Sequence, residues 1–218
     1  MKTKVKKETT LSVLQDIRDM MREHWNKDVE VPETNFGGTI CLVKSAPKAP
    51  EQPIPNGHFL IYIPSITMKE IVEEADNKAS NGKPLMYNIS WYKDEKFYTE
   101  EKAREGWYVV SERLMGKNKN WGEQETEIKN LKGERLNAAE ELYIQYAYEK
   151  VNGERLTYGE QCKKDSSYNW EYSWTSSLSS LGSVVDVGFF DAVGVFVADD
   201  YPGYRNDLLG FRLSRRCS

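Results

Sequence analysis

The side chains best suited to nucleophilic or metal chemistry are scarce in this sequence. It holds three cysteines, Cys41, Cys162 and Cys217, and two histidines, His24 and His58. The cysteines are widely spaced, odd in number and form no CxxC pair, so a disulfide framework of the secreted kind is not expected. The histidines are too few and too far apart in the chain for a zinc site. These residues predict a protein with no bound metal and no cofactor.

One acidic stretch near the carboxyl end offers a different chemistry. Asp199 and Asp200 are adjacent, and Asn206 and Asp207 follow shortly after them. Carboxylate and amide oxygens are the ligands that Ca²⁺ takes in proteins. We favour the simpler interpretation that these carboxylates face solvent or a ligand, and a calcium site is the alternative.

Length and composition exclude several classes of protein. At 218 residues the chain is expected to form one large domain, or one domain with an amino-terminal appendage. A net charge of −4 argues against binding along the phosphates of a nucleic acid. No apolar run approaches the roughly 18 residues that span a bilayer, and the basic amino terminus lacks the apolar segment of an export signal. We therefore expect a soluble protein made in the cytosol, without membrane insertion.

The first 55 residues predict a helix, a short strand and a connector. Apolar residues recur at helical spacing from Leu11 to Trp25, with charges between them. This amphipathic helix is expected to pack on its own domain, and a role at a membrane surface or in oligomerisation is the alternative. Thr39–Val43 predicts a short buried strand, and the four prolines between Ser45 and Pro55 predict an irregular or extended connector.

Residues 56–218 alternate strands with helices before the pattern changes. Capping-box patterns at Thr67-x-x-Glu70 and Asn137-x-x-Glu140 predict two helix starts. Residues 99–105 (TEEKARE) are helix-prone, and the predicted strands are His58–Ile63, Leu85–Trp91 and Trp107–Val110. Helices followed by a strand-rich, glycine-punctuated tail predict an α+β fold.

The last 44 residues, Thr175 to Ser218, differ in composition from everything before them. Lys, Glu, Gln, Met and Trp make up roughly a third of residues 1–174, and none of the five occurs after Trp174. Solvent exposure does not explain the change, because Asp and Arg remain where Glu and Lys are lost. An AAC codon whose two adenines are scrambled becomes NNC, and NNC encodes every residue type except those five. The alternative is a β-rich segment of small residues that simply lacks long polar side chains.

Three motifs, taken in order, resemble a known family. Arg135–Leu142 (RLNAAEEL), with Tyr146-Ala147 beyond it, resembles the RLPTEAEWEYA helix of the formylglycine-generating, sulfatase-modifying branch of the C-type lectin fold. Trp174–Ser177 (WTSS) resembles its W-[ST]-S-S strand, and Gly210–Arg215 (GFRLSR) resembles its closing GFRxxR strand. The resemblance loosely covers residues 56–218 and implies a C-type lectin-like domain there, with helices packed on short antiparallel sheets.

Two branches of that fold lead to different functions. The enzymes carry reactive cysteines and a metal shortly before the closing strand, but no Cys, His or Met occurs here between Trp174 and Gly210, so we expect no catalysis. The variable proteins of diversity-generating retroelements resemble this chain more closely. They end in a C-type lectin domain whose last segment is rewritten by adenine-directed mutagenesis, and their closing motif resembles LGFRLSR in this sequence.

This second resemblance implies a non-catalytic ligand-binding display protein with a hypervariable segment at about residues 175–209. Its partner is expected to be a protein or another macromolecular surface whose identity differs between variants, and display on a virion or cell surface is one setting for it. Oligomerisation through the amino-terminal helix would strengthen binding by multivalency. A sulfatase-modifying-type enzyme and an invariant phage or virion attachment module are the alternatives.

A display surface of this kind needs a frame that does not vary. The frame is expected in the aromatic block Tyr168, Trp170, Tyr172 and Trp174 and in the closing strand Gly210–Arg215. Valine at alternating positions is typical of a buried strand face, which places four more residues in the core: Val185, Val187, Val195 and Val197. Turns between short strands are expected at Gly182, Gly188, Gly194 and Gly203.

The exposed part of the tail is then expected near those turns and on one side of the strands. Of the adjacent Phe189 and Phe190, one is expected to be exposed, because neighbours in a strand point oppositely. The mixture of aromatic, acidic and small side chains resembles a paratope. The predicted ligand-binding residues are Leu181, Ser183, Val184, Phe190, Asp191, Ala192, Phe196, Ala198, Asp199, Asp200, Tyr201 and Tyr204.

Overall fold

The computed structural model describes residues 39–43, 46–77, 84–153, 156, 171–191 and 194–217. The predicted helix at Leu11–Trp25 lies outside these residues, as do Tyr168 and Trp170 of the predicted frame. Within the described part, four helices are present: α1 (Met68–Asn77), α2 (Lys96–Thr99), α3 (Trp121–Asn130) and α4 (Ala138–Asn152). None of them is both long enough and apolar enough to cross a membrane.

Two four-stranded sheets complete the architecture. The first has the order β1–β2–β3–β8 and is formed by β1 (Thr39–Ile40), β2 (His58–Ile63), β3 (Gly106–Ser111) and β8 (Ser214–Arg216). The second has the order β6–β5–β4–β7 and is formed by β4 (Tyr172–Leu178), β5 (Val184–Asp191), β6 (Gly194–Asp200) and β7 (Leu209–Gly210). Neighbours are antiparallel except for two parallel pairs, β1 with β2 and β7 with β4. This architecture confirms a mixture of helices and sheets, as the α+β class predicts, but the expectation of antiparallel sheets is wrong because each sheet includes one parallel pair.

Helix α4 lies at the centre of the fold. It begins at the predicted capping box, in which Oδ1 of Asn137 accepts the Glu140 backbone N–H and Oε2 of Glu140 accepts that of Asn137, both at 2.8 Å. Every residue from Ala138 to Ala147 is buried. The helix contacts β1 and β2 of the first sheet and β4 and β5 of the second, so it is covered on all sides. A helix buried all round must satisfy its polar side chains internally.

The two fully buried carboxylates of α4, Glu140 and Glu141, are paired with arginines from elsewhere in the chain. Glu140 is fully buried and accepts two hydrogen bonds from Arg104, Nε to Oε1 and Nη2 to Oε2, each at 2.8 Å. Glu141 is fully buried and pairs with Nε of Arg212 at 3.0 and 3.2 Å. Gln145 donates to Glu141 at 2.9 Å. The two arginines therefore neutralise the two carboxylates that α4 carries into the core.

Arg212 forms hydrogen bonds with three separate parts of the fold: β3, β4 and helix α4. Its Nη1 donates to the carbonyls of Ser111 and Glu112 at 2.9 and 2.8 Å, at the end of β3. Its backbone N–H donates to Oγ of Ser173, in β4, at 3.2 Å. One residue thus joins both sheets and, through Glu141, the central helix.

Four predicted elements differ from the structure. Leu85–Trp91 is not a strand; only Met86 forms an isolated bridge, to Val195. Residues 100–105 are not helical, because Arg104 is drawn to Glu140 by its backbone and side chain, and α2 ends at Thr99. The strand predicted at Thr39–Val43 is limited to two residues. The closing Gly210–Arg215 segment is divided between β7 and β8. Helix α3 was not predicted at all.

Replacing Arg212 by methionine should cost about 3–5 kcal/mol of unfolding free energy, because Glu141 would remain buried without its partner. The double variant Glu141→Gln/Arg212→Met should recover much of that loss. Urea denaturation measures both. The control is Lys48→Ala, which removes the ion pair with Glu51. Both of those side chains are exposed, at 87% and 88%, so the unfolding free energy should change by less than about 1 kcal/mol. A loss for Arg212→Met no larger than that of the control would contradict the assignment.

Candidate ligand-binding face

Strand β5 divides the second sheet into a buried face and a partly open one. Val185 and Val187 are fully buried and belong to the main core, together with Val195 and Val197 of β6 and the apolar side chains of α4. All four valines are therefore in the core, as the alternation predicts. The intervening β5 residues, among them Asp186, point to the opposite face of the sheet.

The register of the sheet identifies what shares that opposite face. Directly paired residues of neighbouring strands project to the same side. Asp186 pairs with Trp174 of β4 and Ala198 of β6, and Val184 pairs with Asp200. We call this side of the sheet the outer face. Its side chains are Tyr172, Trp174, Val184, Asp186, Phe196, Ala198 and Asp200.

Packing covers one part of the outer face and leaves the other open. Trp174, Val184 and Leu209 are buried together beneath Trp121 of α3, with Tyr204 against them. The 201–206 segment is held there by backbone hydrogen bonds, from Trp121 N–H to the Pro202 carbonyl at 3.0 Å and from Asn118 N–H to the Asn206 carbonyl at 2.9 Å. Tyr204 is therefore placed by the frame and does not depend on the exposed side chains around it.

Two turns extend the outer face at one end of the sheet. Leu181, in the β4–β5 turn, is 89% exposed, and Tyr201, after β6, is 63% exposed. The β4–β5 turn includes Gly182 at φ +80° and is tied down by Ser180, which donates its N–H and Oγ–H to the Glu95 carboxylate at 2.8 and 2.7 Å. Two large apolar side chains thus stand in solvent at the same end of the sheet.

The other end of the outer face is aromatic. Phe196 is partly buried and stacks on Tyr87, with ring centroids 4.2 Å apart and planes at 21°. Residues 85–87 line the edge of β6: Val195 N–H donates to the Leu85 carbonyl at 2.8 Å, and Tyr87 N–H donates to the Val195 carbonyl at 2.9 Å. Tyr87 is 44% exposed, so a residue far upstream in the sequence joins this face.

Between these ends lies a pocket of about 430 Å³. This volume lies within the range of small-molecule sites. The residues that line it come from β4, β5, β6 and the segment before β7, and they are Tyr172, Asp186, Ala198, Asp200, Tyr204, Asn206, Leu208 and Leu209. In the described part of the chain, no cationic side chain is among them.

Asp186 is the unusual member of this pocket. It is 1% exposed, and its Oδ2 has no hydrogen-bond partner among the described residues. Burial raises the pKa of Asp186 well above its ordinary value, and the neighbouring carboxylates Asp200 and Asp199 raise it further. Burial and Asp199 also raise the pKa of Asp200. Burial, with the charge of Asp186, raises the pKa of the Tyr172 hydroxyl to about 12.

The predicted ligand-binding residues are distributed unevenly over this geometry. Ala198, Asp200 and Tyr204 line the pocket, and Leu181 and Tyr201 are exposed in the turns at one end of the sheet. Phe196 is partly buried on the outer face, and Ser183 is partly buried just before β5. Asp199 pairs with Val185 and lies on the opposite side of β6. The side chains of Phe190 and Asp191, and all of Ala192, lie outside the described residues.

Two sequence assignments in this region are wrong. Val184 was assigned to the ligand-binding set, but it is 1% exposed and packs with Trp174 and Leu209. Gly188 does not mark a turn: it lies within β5, opposite Tyr172. A Cβ at Gly188 would stand 2.3 Å from the Glu171 carbonyl oxygen, so glycine is needed for the close approach of β4.

Asp186, Asn206 and Leu208 line the pocket and Tyr87 stacks on Phe196, but none of the four was among the predicted ligand-binding residues. A signal existed for Asp186, because it interrupts the valine pattern of VVDV with an acidic residue. An acid at that position has either a partner or a function. No comparable signal exists for Tyr87, which reaches the face only through the pairing of residues 85–87 with the edge of β6.

The described cysteine thiols lie away from the pocket. Cys41 and Cys217 are half-buried free cysteines that form no disulfide. Burial raises the pKa of both thiols, so they are protonated and weakly nucleophilic at neutral pH. Among the residues that the structure describes, no three His, Cys, Asp or Glu side chains are grouped to hold a metal ion. The outer face instead offers aromatic area, carboxylates and a pocket.

Comparison of the chain with protein-family models, with curated proteins and with solved structures finds no match.

Substitution of Asp186 by asparagine should raise the melting temperature at pH 7 and have a smaller effect near pH 4. The pKa of Asp186 is raised on folding above its ordinary value of 3.8, so the folded state loses stability as the pH rises through the folded pKa. Asparagine cannot ionise and avoids that loss. Melting curves of both proteins between pH 4 and 8 measure the difference, and a difference that stays constant with pH would contradict the prediction.

Proposed function

We propose that this chain is a ligand-binding display protein with a C-type lectin-like fold, whose carboxyl-terminal face is diversified by a retroelement and binds a macromolecular surface without catalysis. The observation that carries the proposal is that the segment with the unusual composition is also the segment that forms the outer face. The segment that lacks Lys, Glu, Gln, Met and Trp supplies β5, β6, the turns beside them and most of the pocket.

The exposure of that segment supports the proposal. Within residues 181–204, burial is described for twenty positions, and eleven of them are at least partly exposed. Four of the remaining positions, Val185, Val187, Val195 and Val197, anchor the segment in the main core. A binding surface that is rewritten from variant to variant requires this separation, because a change in an exposed side chain then leaves the core untouched.

The three motifs that carry the resemblance also contact one another. Nη1 of Arg135 donates to the Trp174 carbonyl at 3.1 Å, and Oγ of Ser177 accepts the Ala138 N–H at 2.8 Å at the start of α4. Arg212 of the closing motif pairs with Glu141 of the helix motif. Motifs distant in sequence that meet in one core form a shared frame, and this supports a common fold with the family they resemble.

Sequencing of the DNA around the coding region tests the proposal directly. We expect a near-copy of the 3′ coding end that differs from it at adenines, next to a reverse-transcriptase gene. The differing codons should fall on outer-face and turn positions such as Leu181, Asp200 and Tyr201, and should spare the codons of Val185 and Val187. A single-copy 3′ end with no such neighbour, and natural isolates identical over residues 178–208, would instead favour an invariant attachment module.

The frame should tolerate new side chains on the exposed turns. The double variant Leu181→Ser/Tyr201→Ser should change the unfolding free energy by no more than about 0.5 kcal/mol per site, because both side chains are largely in solvent. The matched control Val185→Ser, which places a hydroxyl in the core, should cost about 2–4 kcal/mol. Urea denaturation compares them, and equal losses in the two proteins would refute the division between frame and display surface.

A further inference from the structure

The outer-face pocket contains a buried acid without the partner that such an acid needs. A carboxylate removed from water is costly unless it is paired with a cation or fully hydrogen-bonded. Asp186 is 1% exposed, and Oδ2 has no partner in the described residues. Its cross-strand neighbour Trp174 carries an N–H, but Nε1 of Trp174 is buried and without a partner as well. The missing interaction is therefore not supplied from within this part of the fold.

Among the described residues, the charges that act on Asp186 are all negative. The groups that act on it are Asp200, which lines the same pocket, and Asp199. Arg205 follows pocket residue Tyr204 in the chain, but it pairs with Glu123, Nη2 to Oε1, at 2.7 Å. The pocket thus holds two carboxylates in a site of reduced dielectric, where attraction to a positive charge is strongest.

The walls of the pocket are apolar and aromatic. Tyr172 and Tyr204 contribute rings, and Ala198, Leu208 and Leu209 contribute aliphatic surface. Aromatic faces attract organic cations, and aliphatic walls match a hydrocarbon stem. A bare metal ion would leave a pocket of about 430 Å³ largely unfilled, and no metal-binding group of three acidic, His or Cys side chains is present in the described residues.

We propose that this pocket binds an organic cation on an aliphatic stem, the group that a lysine or arginine side chain of a protein ligand presents. The cation pairs with Asp186 and Asp200, and the stem lies against Tyr172, Tyr204 and Leu208. This inference rests on the proposed function, since Tyr201, whose ring lies 5.9 Å from that of pocket residue Tyr204, is exposed and would contact the rest of the ligand. It adds the chemical class of the group that the surface selects.

Binding of small probes to the full chain tests the proposal. The probes are n-butylammonium and n-butylguanidinium, which separate lysine-like from arginine-like recognition, with 1-butanol and butyrate as neutral and anionic analogues of the same stem. We expect at least one cation to bind with a dissociation constant on the order of 1 mM. At about ten times that concentration it should raise the melting temperature by about 3–6 °C. Butanol and butyrate should not.

Variants locate the binding site. Asp186→Asn should weaken cation binding at least tenfold, measured by titration followed by NMR, because the partner of the buried charge is lost. Asp200→Asn should weaken it in the same direction and serves as the second variant if the first does not fold. Asp207→Asn is the matched control, since it makes the same change of charge at an exposed residue that does not line the pocket. Its affinity for the cation should equal that of the parent.

The outcomes separate this inference from the proposed function. Equal binding of butanol and the cations, no binding by any probe, or an equal loss in all three variants would overturn the cation site. Stabilisation by Ca²⁺ with no response to either organic cation would overturn it in favour of a metal ion. If a retroelement lies beside the coding region but no cation binds, this inference is refuted and the proposed function is not. If a cation binds but no retroelement is present, the proposed function is refuted and this inference is not.

Discussion

The buried ion pair between Arg212 and Glu141 is the interaction on which the rest of the structure depends. Both side chains are fully buried, so neither charge can be left to water. The pair is compatible with folding only when α4, the end of β3 and strand β4 are all in place around it, because Arg212 also bonds Ser111, Glu112 and Ser173. Such a pair contributes little net stability compared with an apolar substitute, but it penalises every arrangement that separates its members. Its contribution here is to specify how the two sheets meet.

That constraint explains how the tail can be both part of the core and a surface. The same segment of chain supplies Val185 and Val187 to the core and Asp186 to the outer face. Strand alternation alone divides these roles, residue by residue. The frame around the strands uses contacts from outside the segment, such as the Trp121 indole N–H, which donates to the Thr175 carbonyl at 3.1 Å. In the proposed function, outer-face side chains such as Ala198 and Asp200 can change without disturbing the valine face of β5 and β6.

The sequence predicted local structure best where one short pattern carries its own physical cause. Strand β2 and the capping boxes at Thr67 and Asn137 were identified because turn chemistry and caps act over three or four residues. The strand predicted at Leu85–Trp91 is absent because only Met86 forms a bridge there, and Asn88 adopts φ +41°, in the left-handed region outside the β conformation. Helix α3 was missed because its signal, the capping box at Asn120 and Glu123, precedes a segment with few apolar residues.

The outer face was predicted only in part, for a related reason. Exposed turn residues such as Leu181 and Tyr201 follow from glycine-marked turns, which are local. Which residues line the pocket depends on the register between β5 and β6, which pairs Asp186 with Ala198 and Val184 with Asp200. No short sequence pattern determines that register. Val184 and Asp186 project to the same face of β5. Val184 is buried against Trp121 and Tyr204, whereas Asp186 lines the pocket. Only the tertiary arrangement distinguishes them.

The restricted set of residue types in the tail also shapes the chemistry of the pocket. Scrambled adenines in AAC codons yield aspartate but never glutamate, and arginine but never lysine. A carboxylate in such a segment therefore lies close to the backbone, on a side chain too short to reach solvent from the middle of a sheet. The depth of an acidic pocket must then come from larger neighbours, here Tyr172, Tyr204 and Leu208. A ligand group must be long and slender to reach the acid, and this requirement favours a cation on a flexible stem over a compact ion.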